Sequence, residues 1–150
     1  MTRSPSVREI WPALDNEGAR IAVYGIGESG TDLYVIDVAS QAMLPLTVRA
    51  DTSGLHEEYQ IAPVLAPAFS PDGQWVAFPA RKGRNGALEL FVARSDGQQV
   101  LRVTELGHEL RDYTWLDSKT ILIAVRWTDH TLHYWIARWE GGGFRLEPFQ

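Results

Sequence analysis

The stretch from Phe69 to Phe78 constrains the fold of this chain more than any other part of the sequence. It consists of a short apolar strand, a Ser-Pro-Asp-Gly corner and a second apolar strand. In that corner Pro71 fixes φ, Asp72 can accept a hydrogen bond from the backbone that follows, and Gly73 adopts a positive φ at little steric cost. Two strands joined by such residues are typical of a β-hairpin.

Looser copies of the same corner lie on both sides of it. The upstream copy contains Asp15 and Gly18, and the downstream copy contains Asp117. An aspartate that recurs in three corners favours a structural role in the turn, because an active site seldom needs three copies of one residue. We therefore assign the following residues to the turns: Asp15, Gly18, Pro71, Asp72, Gly73 and Asp117.

A third and a fourth apolar strand follow each corner, so the repeated unit is larger than a hairpin. Asp72 recurs as Asp117 after 45 positions, and Ala93 recurs as Ala137 after 44 positions. Four short strands in about 40 to 45 residues is the period of one blade of a β-propeller. The repeats divide the chain into a first blade at about 9–48, a long connection at 48–65, a second blade at about 66–104 and a third blade at about 111–149.

The segment from Phe69 to Thr104 resembles the TolB-type, WD-like β-propeller repeat. It has an aromatic residue before Ser-Pro-Asp-Gly, a strand that ends in Ala-Phe, a basic link with glycines, a Leu-x-Leu-Phe-Val strand and a closing Arg-x-Thr. The resemblance implies an all-β domain of three four-stranded antiparallel blades, which is a section of a propeller ring. It implies less about activity, because one fold serves many functions.

Composition limits the partners and cofactors that this chain can have. Hydrophobic residues make up 45% of the sequence and aromatic residues 11%, which is enough apolar surface for a packed core. A net charge of −5 argues against a nucleic-acid partner, since such proteins carry a basic field. The chain has no cysteine for a disulfide or a thiolate metal site, and no apolar run is long enough to span a membrane.

The segment 1–9 is basic and polar, and no apolar stretch follows it, so it does not have the pattern of a secretory signal. The chain as it stands is therefore expected in the cytoplasm. A periplasmic location fits if the chain is part of a longer, secreted product. The sequence leaves the compartment open.

Three blades form an arc, whereas closure of the ring normally protects the faces and edges of a propeller. The outer flanks of the first and third blades are then expected to expose aromatic surface that favours association. We assign to these flanks the residues Trp11, Tyr24, Trp127, Trp135 and Trp139. Two explanations stay open: two copies close head to tail into a six-bladed ring, or further blades lie elsewhere in a longer chain.

Three motifs suggest chemistry, and each has a simpler explanation. The segment 25–30 has the spacing of a dinucleotide-binding loop, but a β-rich segment follows where a helix is required. Ser29 lacks the second glycine and the helix of a nucleophile elbow. His130 and His133 lie close to Asp129, but residues three apart on a strand point to opposite faces, so no metal site is predicted. No catalytic residue and no cofactor is assigned.

Two loops are the best candidates for binding a partner. The connection 48–65 is about twelve residues longer than the link after the second blade, and long loops on a rigid scaffold are often functional. The link 81–86 carries three cations that suit an anionic ligand or an acidic protein segment, although charge runs usually serve only to solvate a surface. The residues assigned to partner binding are His56, Glu57, Glu58, Tyr59, Arg81, Lys82 and Arg84.

These features favour a non-enzymatic scaffold that presents loops and blade faces to a protein or peptide partner. Two alternatives stay open. The chain can be the accessory propeller of a prolyl oligopeptidase-like hydrolase, or a propeller lyase that acts on sugar acids through histidines and arginines in its pore. The lyase requires clustered ligands, whereas the four histidines are scattered along the sequence.

Overall fold

The computed structural model describes residues 8–27, 30–47 and 59–149, excluding the side chains of residues 8–11. These residues form thirteen β-strands in three antiparallel sheets, and no helix occurs among them. None of the described segments can therefore cross a bilayer as a helix. The predicted all-β fold with three successive blades is confirmed.

Each blade is a meander of short antiparallel strands, so strands that are neighbours in sequence are also neighbours in the sheet, except at the start of blade 2. Blade 1 contains β1 (Arg8–Leu14), β2 (Arg20–Gly27), β3 (Gly30–Asp37) and β4 (Met43–Pro45). Blade 2 contains β5 (Tyr59–Ile61), β6 (Ala68–Phe69), β7 (Trp75–Lys82), β8 (Leu88–Arg94) and β9 (Val100–Arg102). Blade 3 contains β10 (Glu109–Asp117), β11 (Thr120–Arg126), β12 (Leu132–Trp139) and β13 (Phe144–Pro148).

The first strand of blade 2 is broken into two pieces. Both β5 and β6 pair with β7, and the segment 62–67 between them leaves the ladder. Pro63 and Pro67 lie in this segment, and proline has no N–H to donate to a neighbouring strand. Blade 2 therefore begins at Tyr59 and not at the predicted boundary near residue 66, so three residues of the predicted connection belong to the sheet.

The three blades share one register in their central hairpins. The same cross-strand pair occurs in each blade: Ile21 with Ile36, Val76 with Ala93, and Ile121 with Ala137. Between blades 2 and 3 this agrees with the shift of 44 to 45 positions seen in the sequence, whereas the corresponding pairs of blades 1 and 2 are 55 and 57 positions apart. Because side chains alternate between the two faces of a strand, each residue of one blade has a defined counterpart on the next blade.

Two apolar clusters hold the blades together, and each lies in a joint between two blades. The joint between blades 1 and 2 contains Tyr24, Phe78 and Phe91, which are fully buried. The joint between blades 2 and 3 contains Trp75 and Ile123. Blade 2 is covered on both faces, which explains why the first six residues of β7 are all buried and all apolar. Each large apolar side chain buried in this way contributes about 1.5–3 kcal/mol, so the joints are the main source of stability.

The corners depend on the aspartates and glycines that the sequence singled out. Asp72 Oδ1 accepts a hydrogen bond from the backbone nitrogen two residues later, and Asp117 Oδ1 does the same in blade 3, at 3.1 and 2.8 Å. Gly18 and Gly73 have φ values of 70° and 75°, which lie in the left-handed region that glycine tolerates best. Ser70 adds a hydrogen bond from its Oγ to the Asp72 carboxylate.

Asp15 stabilises the corner of blade 1 in a different way. Its Oδ1 accepts a hydrogen bond from the backbone nitrogen of Arg20, five residues later, at 3.2 Å. Ser70 Oγ accepts the corresponding bond from the backbone five residues later in blade 2. Asp15 is therefore the counterpart of Ser70, whereas the sequence pattern had suggested that it corresponds to Asp72.

The corners of neighbouring blades are also bonded to each other. Arg20 Nη2 in blade 1 donates to the backbone oxygen of Gly73 at 2.7 Å. The backbone nitrogen of Asp72 donates to Ser118 Oγ in the corner of blade 3 at 2.9 Å. A row of polar contacts thus connects the three corners and fixes the angle between the blades.

Candidate functional site

An open cleft of about 300 Å³ lies between blades 2 and 3, and we call it the arginine cleft. Three segments of the chain build it. These are the end of β7 with the link 83–87, the linker 103–108 between the blades, and the end of β11 with the link 127–131. The lining side chains that carry charge or aromatic character are Arg81, His108, Glu109, Arg126, Trp127 and His130.

Arg81 and Glu109 form a bidentate ion pair across this cleft. Arg81 Nη2 donates to Glu109 Oε2 at 2.7 Å, and Arg81 Nη1 donates to Glu109 Oε1 at 3.1 Å. The backbone nitrogen of Leu88 also donates to Glu109 Oε1, at 3.0 Å. Partial burial by itself raises the pKa of Glu109. The hydrogen bonds from Arg81 and Leu88 and the positive charges of Arg81 and Arg126 lower this pKa by a larger amount, so the net pKa is below its ordinary value.

Arg126 is the second cation of the arginine cleft. It stands opposite Glu109 in the register of β10 and β11, but its guanidinium forms no hydrogen bond or ion pair with the residues that the structure describes. Glu109 already directs both of its oxygens to Arg81. The cleft therefore contains one more positive charge than its own carboxylate neutralises.

Trp127 forms the aromatic wall of the cleft. Its ring stacks between those of His108 and His133, with centroid distances of 4.9 and 3.6 Å and interplanar angles of 18°. The indole Nε1 is buried and lacks a hydrogen-bond partner within the described part of the chain. Such a buried donor is costly to leave unsatisfied.

A buried carboxylate fixes the linker that forms the back of this cleft. Glu89 accepts hydrogen bonds from Thr104 Oγ1 and from the backbone nitrogens of Leu106 and Gly107, the latter at 2.9 Å. Thr104 Oγ1 in turn accepts a bond from the backbone nitrogen of Leu90. This arrangement, which we call the Glu89 clasp, positions the residues that precede His108.

Blade 1 has a smaller copy of the clasp. Thr47 Oγ1 donates to Asp32 Oδ1 and accepts from the backbone nitrogen of Leu33, both at 3.1 Å. The acid and the threonine are 15 positions apart in both blades. That shared spacing is a signal that was present in the sequence and that our sequence reading did not use.

The residues predicted to bind a partner do not all lie together. Arg81 lines the arginine cleft, and two exposed cations lie beside it: Lys82 at the end of β7 and Arg84 on the link. His56, Glu57 and Glu58 lie outside the described residues.

Tyr59 lies on a strand and not in a loop as predicted, because β5 pairs it with Lys82. Its ring packs edge-on against Phe91 at 5.2 Å, and Arg102 Nη1 donates to its hydroxyl at 3.3 Å. The side chain is half-buried and contributes to the joint between blades 1 and 2. Its contacts are those of a structural residue.

Tyr24 does not lie on an outer flank, where the sequence analysis had placed it. Its side chain is fully buried in the joint between blades 1 and 2, and its hydroxyl donates to the backbone oxygen of Leu65 at 2.6 Å. Tyr113 enters the neighbouring joint, where its single hydroxyl proton lies between the backbone oxygens of Ala66 and Ala77, at 2.6 and 3.0 Å from the phenol oxygen. Burial raises the pKa of both phenols far above the ordinary value, so both remain protonated donors.

The tryptophans of blade 3 are also internal. Trp127, Trp135 and Trp139 pack against the cluster between blades 2 and 3, and the ring of Trp139 lies 5.3 Å from that of Trp75. The alternation along β12 explains this, because residues 135, 137 and 139 share the face that meets blade 2. The prediction that they form an outer flank is therefore corrected. The side chain of Trp11 lies outside the described residues.

The outer flank of blade 3 consists of other residues. The opposite face of β12 carries Leu132, Tyr134 and Ile136, and Leu122 lies beside Ile136 on β11. Leu132 and Tyr134 are 51% and 44% exposed. We call these four residues the blade 3 flank. A shallow groove of about 140 Å³ crosses it next to Leu122 and Tyr134.

The outer flank of blade 1 follows from the same alternation. The faces of β2 and β3 that point away from blade 2 carry Ile21 opposite Ile36 and Val23 opposite Tyr34. We call these four residues the blade 1 flank. Val23 and Ile136 are already buried within the chain, at 2% and 5% exposed. The apolar surface at the two ends of the arc therefore comes mainly from Leu132 and Tyr134 on blade 3 and from the partly exposed residues Ile21, Tyr34 and Ile36 on blade 1.

Two of the three motifs that suggested other chemistry have structural explanations, and the third, Ser29, lies outside the described residues. Gly27 at the end of β2 pairs with Gly30 at the start of β3, so the described glycines of this segment belong to a hairpin, as predicted. His130 lies in a link with a φ of 68°, whereas His133 lies on β12 and stacks on Trp127. No group of three or more histidines or acidic residues suited to a metal ion is found within residues 8–27, 30–47 and 59–149.

Several solved structures share the fold of this chain. A putative TolB from Agrobacterium tumefaciens matches 97% of it with a TM-score of 0.66 and 22% sequence identity, and the match covers 50% of that structure. The β-propeller domain of the Trilobed protease from Pyrococcus furiosus matches 98% with a TM-score of 0.65 and 16% identity, and 45% of that domain is covered. An acylaminoacyl peptidase from Pyrococcus horikoshii matches 95% with a TM-score of 0.60 and 16% identity, with 25% of its chain covered.

This chain thus spans half or less of the length of each of these structures. No protein-family model matches the sequence, and neither does any curated protein. The structural matches confirm the TolB-type propeller fold. At these levels of identity they establish the fold and not the activity.

Proposed function

We propose that this chain is a non-enzymatic propeller section that works by binding proteins. Its first partner is a second copy of the chain, which closes the ring, and its loops then present a site to a peptide of another protein. The observation that carries the proposal is that the blade 3 flank repeats, with apolar residues, positions that are buried in the joints between blades.

The counterparts of the blade 3 flank show what such positions do when a neighbour is present. Leu90 and Val92 of blade 2 are completely buried in the joint with blade 3. By register, Tyr134 and Ile136 are the corresponding residues of blade 3. Ile136 is already buried within the chain, at 5% exposed, whereas Tyr134 remains 44% exposed, so the Tyr134 part of this face has the composition of a joint without a blade to cover it.

The blade 1 flank supplies the matching half. Its residues occupy the positions that Val76, Phe78, Phe91 and Ala93 occupy in blade 2, and all four of those are buried in the joint between blades 1 and 2. A head-to-tail contact between two copies can therefore repeat an internal joint. Two copies related by a two-fold axis would form two such joints and a six-bladed ring.

Analytical ultracentrifugation of a charged flank variant tests the proposal. We expect the wild type to sediment as a dimer, and Tyr134→Glu to sediment as a monomer, because a carboxylate in the joint would lack a partner. Val64→Glu is the matched control, since Val64 is 55% exposed on blade 2, away from both flanks. Loss of the dimer in both variants, or in neither, would contradict the proposal.

A second candidate is an accessory propeller of a peptidase, which the matches to the Trilobed protease domain and the acylaminoacyl peptidase favour. In that case the flanks would contact further blades of one longer polypeptide. This candidate would be supported against self-association if the wild type stays monomeric at concentrations near 100 μM and Tyr134→Glu has the same mass in solution.

A further inference from the structure

We infer that the arginine cleft binds a carboxylate of a partner peptide, with Arg126 as its main ligand. The inference rests on the proposed interaction function, because a peptide partner supplies the carboxylate. It does not depend on closure of the ring, since the cleft lies within one chain, between blades 2 and 3.

Charge is the first reason. Two guanidinium groups line the cleft together with one carboxylate, and the Glu109 carboxylate is already held by both Nη atoms of Arg81. Arg126 has no hydrogen bond or ion pair with any residue of the described segments. A planar guanidinium that retains all its donors is suited to bind a carboxylate through two parallel bonds.

The shape and the remaining donors are the second reason. A volume of about 300 Å³ exceeds what an isolated water site needs and admits a short acidic side chain or a chain terminus. The stacked rings of His108 and Trp127 line the cleft, and the buried Nε1 of Trp127 lacks an acceptor among the residues described here. His108 and His130 complete the rim with ring nitrogens that can donate to an anion.

Three sets of contacts hold the walls of the arginine cleft in place, which is the third reason. The Arg81 pair joins blade 2 to the first residue of β10, and the Glu89 clasp fixes the linker before His108. The stack of His108, Trp127 and His133 holds the aromatic wall in place. A site held in this way loses little conformational freedom when a ligand binds.

Titration of the ¹⁵N-labelled full chain with short peptides tests this inference. The peptides are Ac-Gly-Glu-Gly-NH₂ for a side-chain carboxylate, Ac-Gly-Gly-Gly-OH for a terminal carboxylate, and Ac-Gly-Gln-Gly-NH₂ as the neutral analogue. Sodium acetate and inorganic phosphate represent free small anions. The readout is the indole N–H resonance of Trp127, which is assigned through its loss in Trp127→Phe.

We expect a saturable shift of this resonance with a carboxylate peptide, and none with the glutamine peptide. Arg126→Gln should weaken binding at least about tenfold, because it replaces a charge-assisted pair by a neutral one. Arg145→Gln removes the same charge from an exposed site on β13 and should bind like the wild type. Tighter binding of acetate than of either peptide would reassign the cleft to a small-molecule acid and overturn the peptide assignment.

Three other results would overturn the inference: no saturable shift with any carboxylate peptide, equal weakening by the two arginine variants, or stronger binding of phosphate than of carboxylates. Tyr134→Glu separates this inference from self-association, since we expect that variant to bind the peptide normally as a monomer. Absent peptide binding in a wild type that still dimerises would reject the cleft assignment alone.

Discussion

The Glu89 clasp makes a sharp prediction about stability. Glu89 is 4% exposed and accepts three hydrogen bonds, from the hydroxyl of Thr104 and from two backbone nitrogens of the linker. Each donor that loses its acceptor costs about 1–3 kcal/mol, and water can reach the two half-buried nitrogens, so the lower end of that range applies. Glu89→Ala should therefore lower the free energy of unfolding by about 3 kcal/mol.

The threonine of the clasp can be replaced by valine, which has nearly the same volume, and the cost can be compared with that of the same replacement in blade 1. Thr104→Val keeps the volume but removes the donor to Glu89 and the acceptor for a buried backbone nitrogen, so we expect a loss of about 2 kcal/mol. Thr47→Val makes the same change in blade 1, where the acid is Asp32 and is partly exposed. Water can replace that partner, so the cost should be only about 1 kcal/mol.

Urea denaturation followed by tryptophan fluorescence measures all three variants, with the slope of the transition as a check that the unfolded state is unchanged. A double-mutant cycle between Glu89→Ala and Thr104→Val should show a coupling of about 1 kcal/mol, because the two side chains are in direct contact. The reasoning is refuted if Glu89→Ala costs less than about 1 kcal/mol, or if Thr47→Val and Thr104→Val cost the same.

Three further predictions follow from single contacts. Gly73→Ala should lower the free energy of unfolding by about 2 kcal/mol, because of its positive φ and because a Cβ 2.5 Å from Arg20 Nη2 would displace that guanidinium from its hydrogen bond to the Gly73 carbonyl. Gly83→Ala, also at positive φ but in open space, should cost about 1 kcal/mol in the same urea assay. Glu109→Gln should lower the free energy of unfolding by at most about 1 kcal/mol at pH 7. Because the folded-state pKa of this carboxyl is lowered, the wild type should lose that extra stability as the pH falls below about 4. A difference in unfolding free energy between wild type and variant that stays constant down to pH 2 would contradict a stabilising ion pair. Tyr113→Phe should lower the melting temperature by several degrees, because it removes the buried hydroxyl that donates to the carbonyl oxygens of Ala66 and Ala77 across a joint. Tyr134→Phe changes an exposed side chain and should leave the melting temperature unchanged.

Much of the fold could be predicted from the sequence because the repeat is local. The corner residues have turn-forming properties of their own, and the spacing between Ala93 and Ala137 correctly gave the register shared by two blades. The strand β5 escaped prediction because it has three residues and is separated from β6 by a segment with two prolines. Only its pairing with β7 makes it a strand.

Which face of each blade meets a neighbouring blade was harder to predict than the existence of the blades. Alternation shows which residues share a face, but the sequence does not say which face meets a neighbour, and aromatic content was a poor guide. The tryptophans of blade 3 lie inside a joint, whereas Tyr134 and Leu132 lie on the flank. The arginine cleft was found only in part, since Arg81 was predicted, and Arg126 and Trp127 reach it from the next blade.

Head-to-tail closure is tested most directly by a photo-cross-link between copies. Val38 is the counterpart of Trp139, and Thr120 is the counterpart of Trp75, so an intermolecular joint places position 38 of one copy near Thr120 of the other. We predict that p-benzoylphenylalanine at position 38, in a mixture of ¹⁴N and ¹⁵N chains, gives mixed-isotope cross-links to the peptide that contains Thr120. Cross-links confined to single chains, or mixed cross-links at unrelated surfaces, would contradict closure of the ring by a second copy.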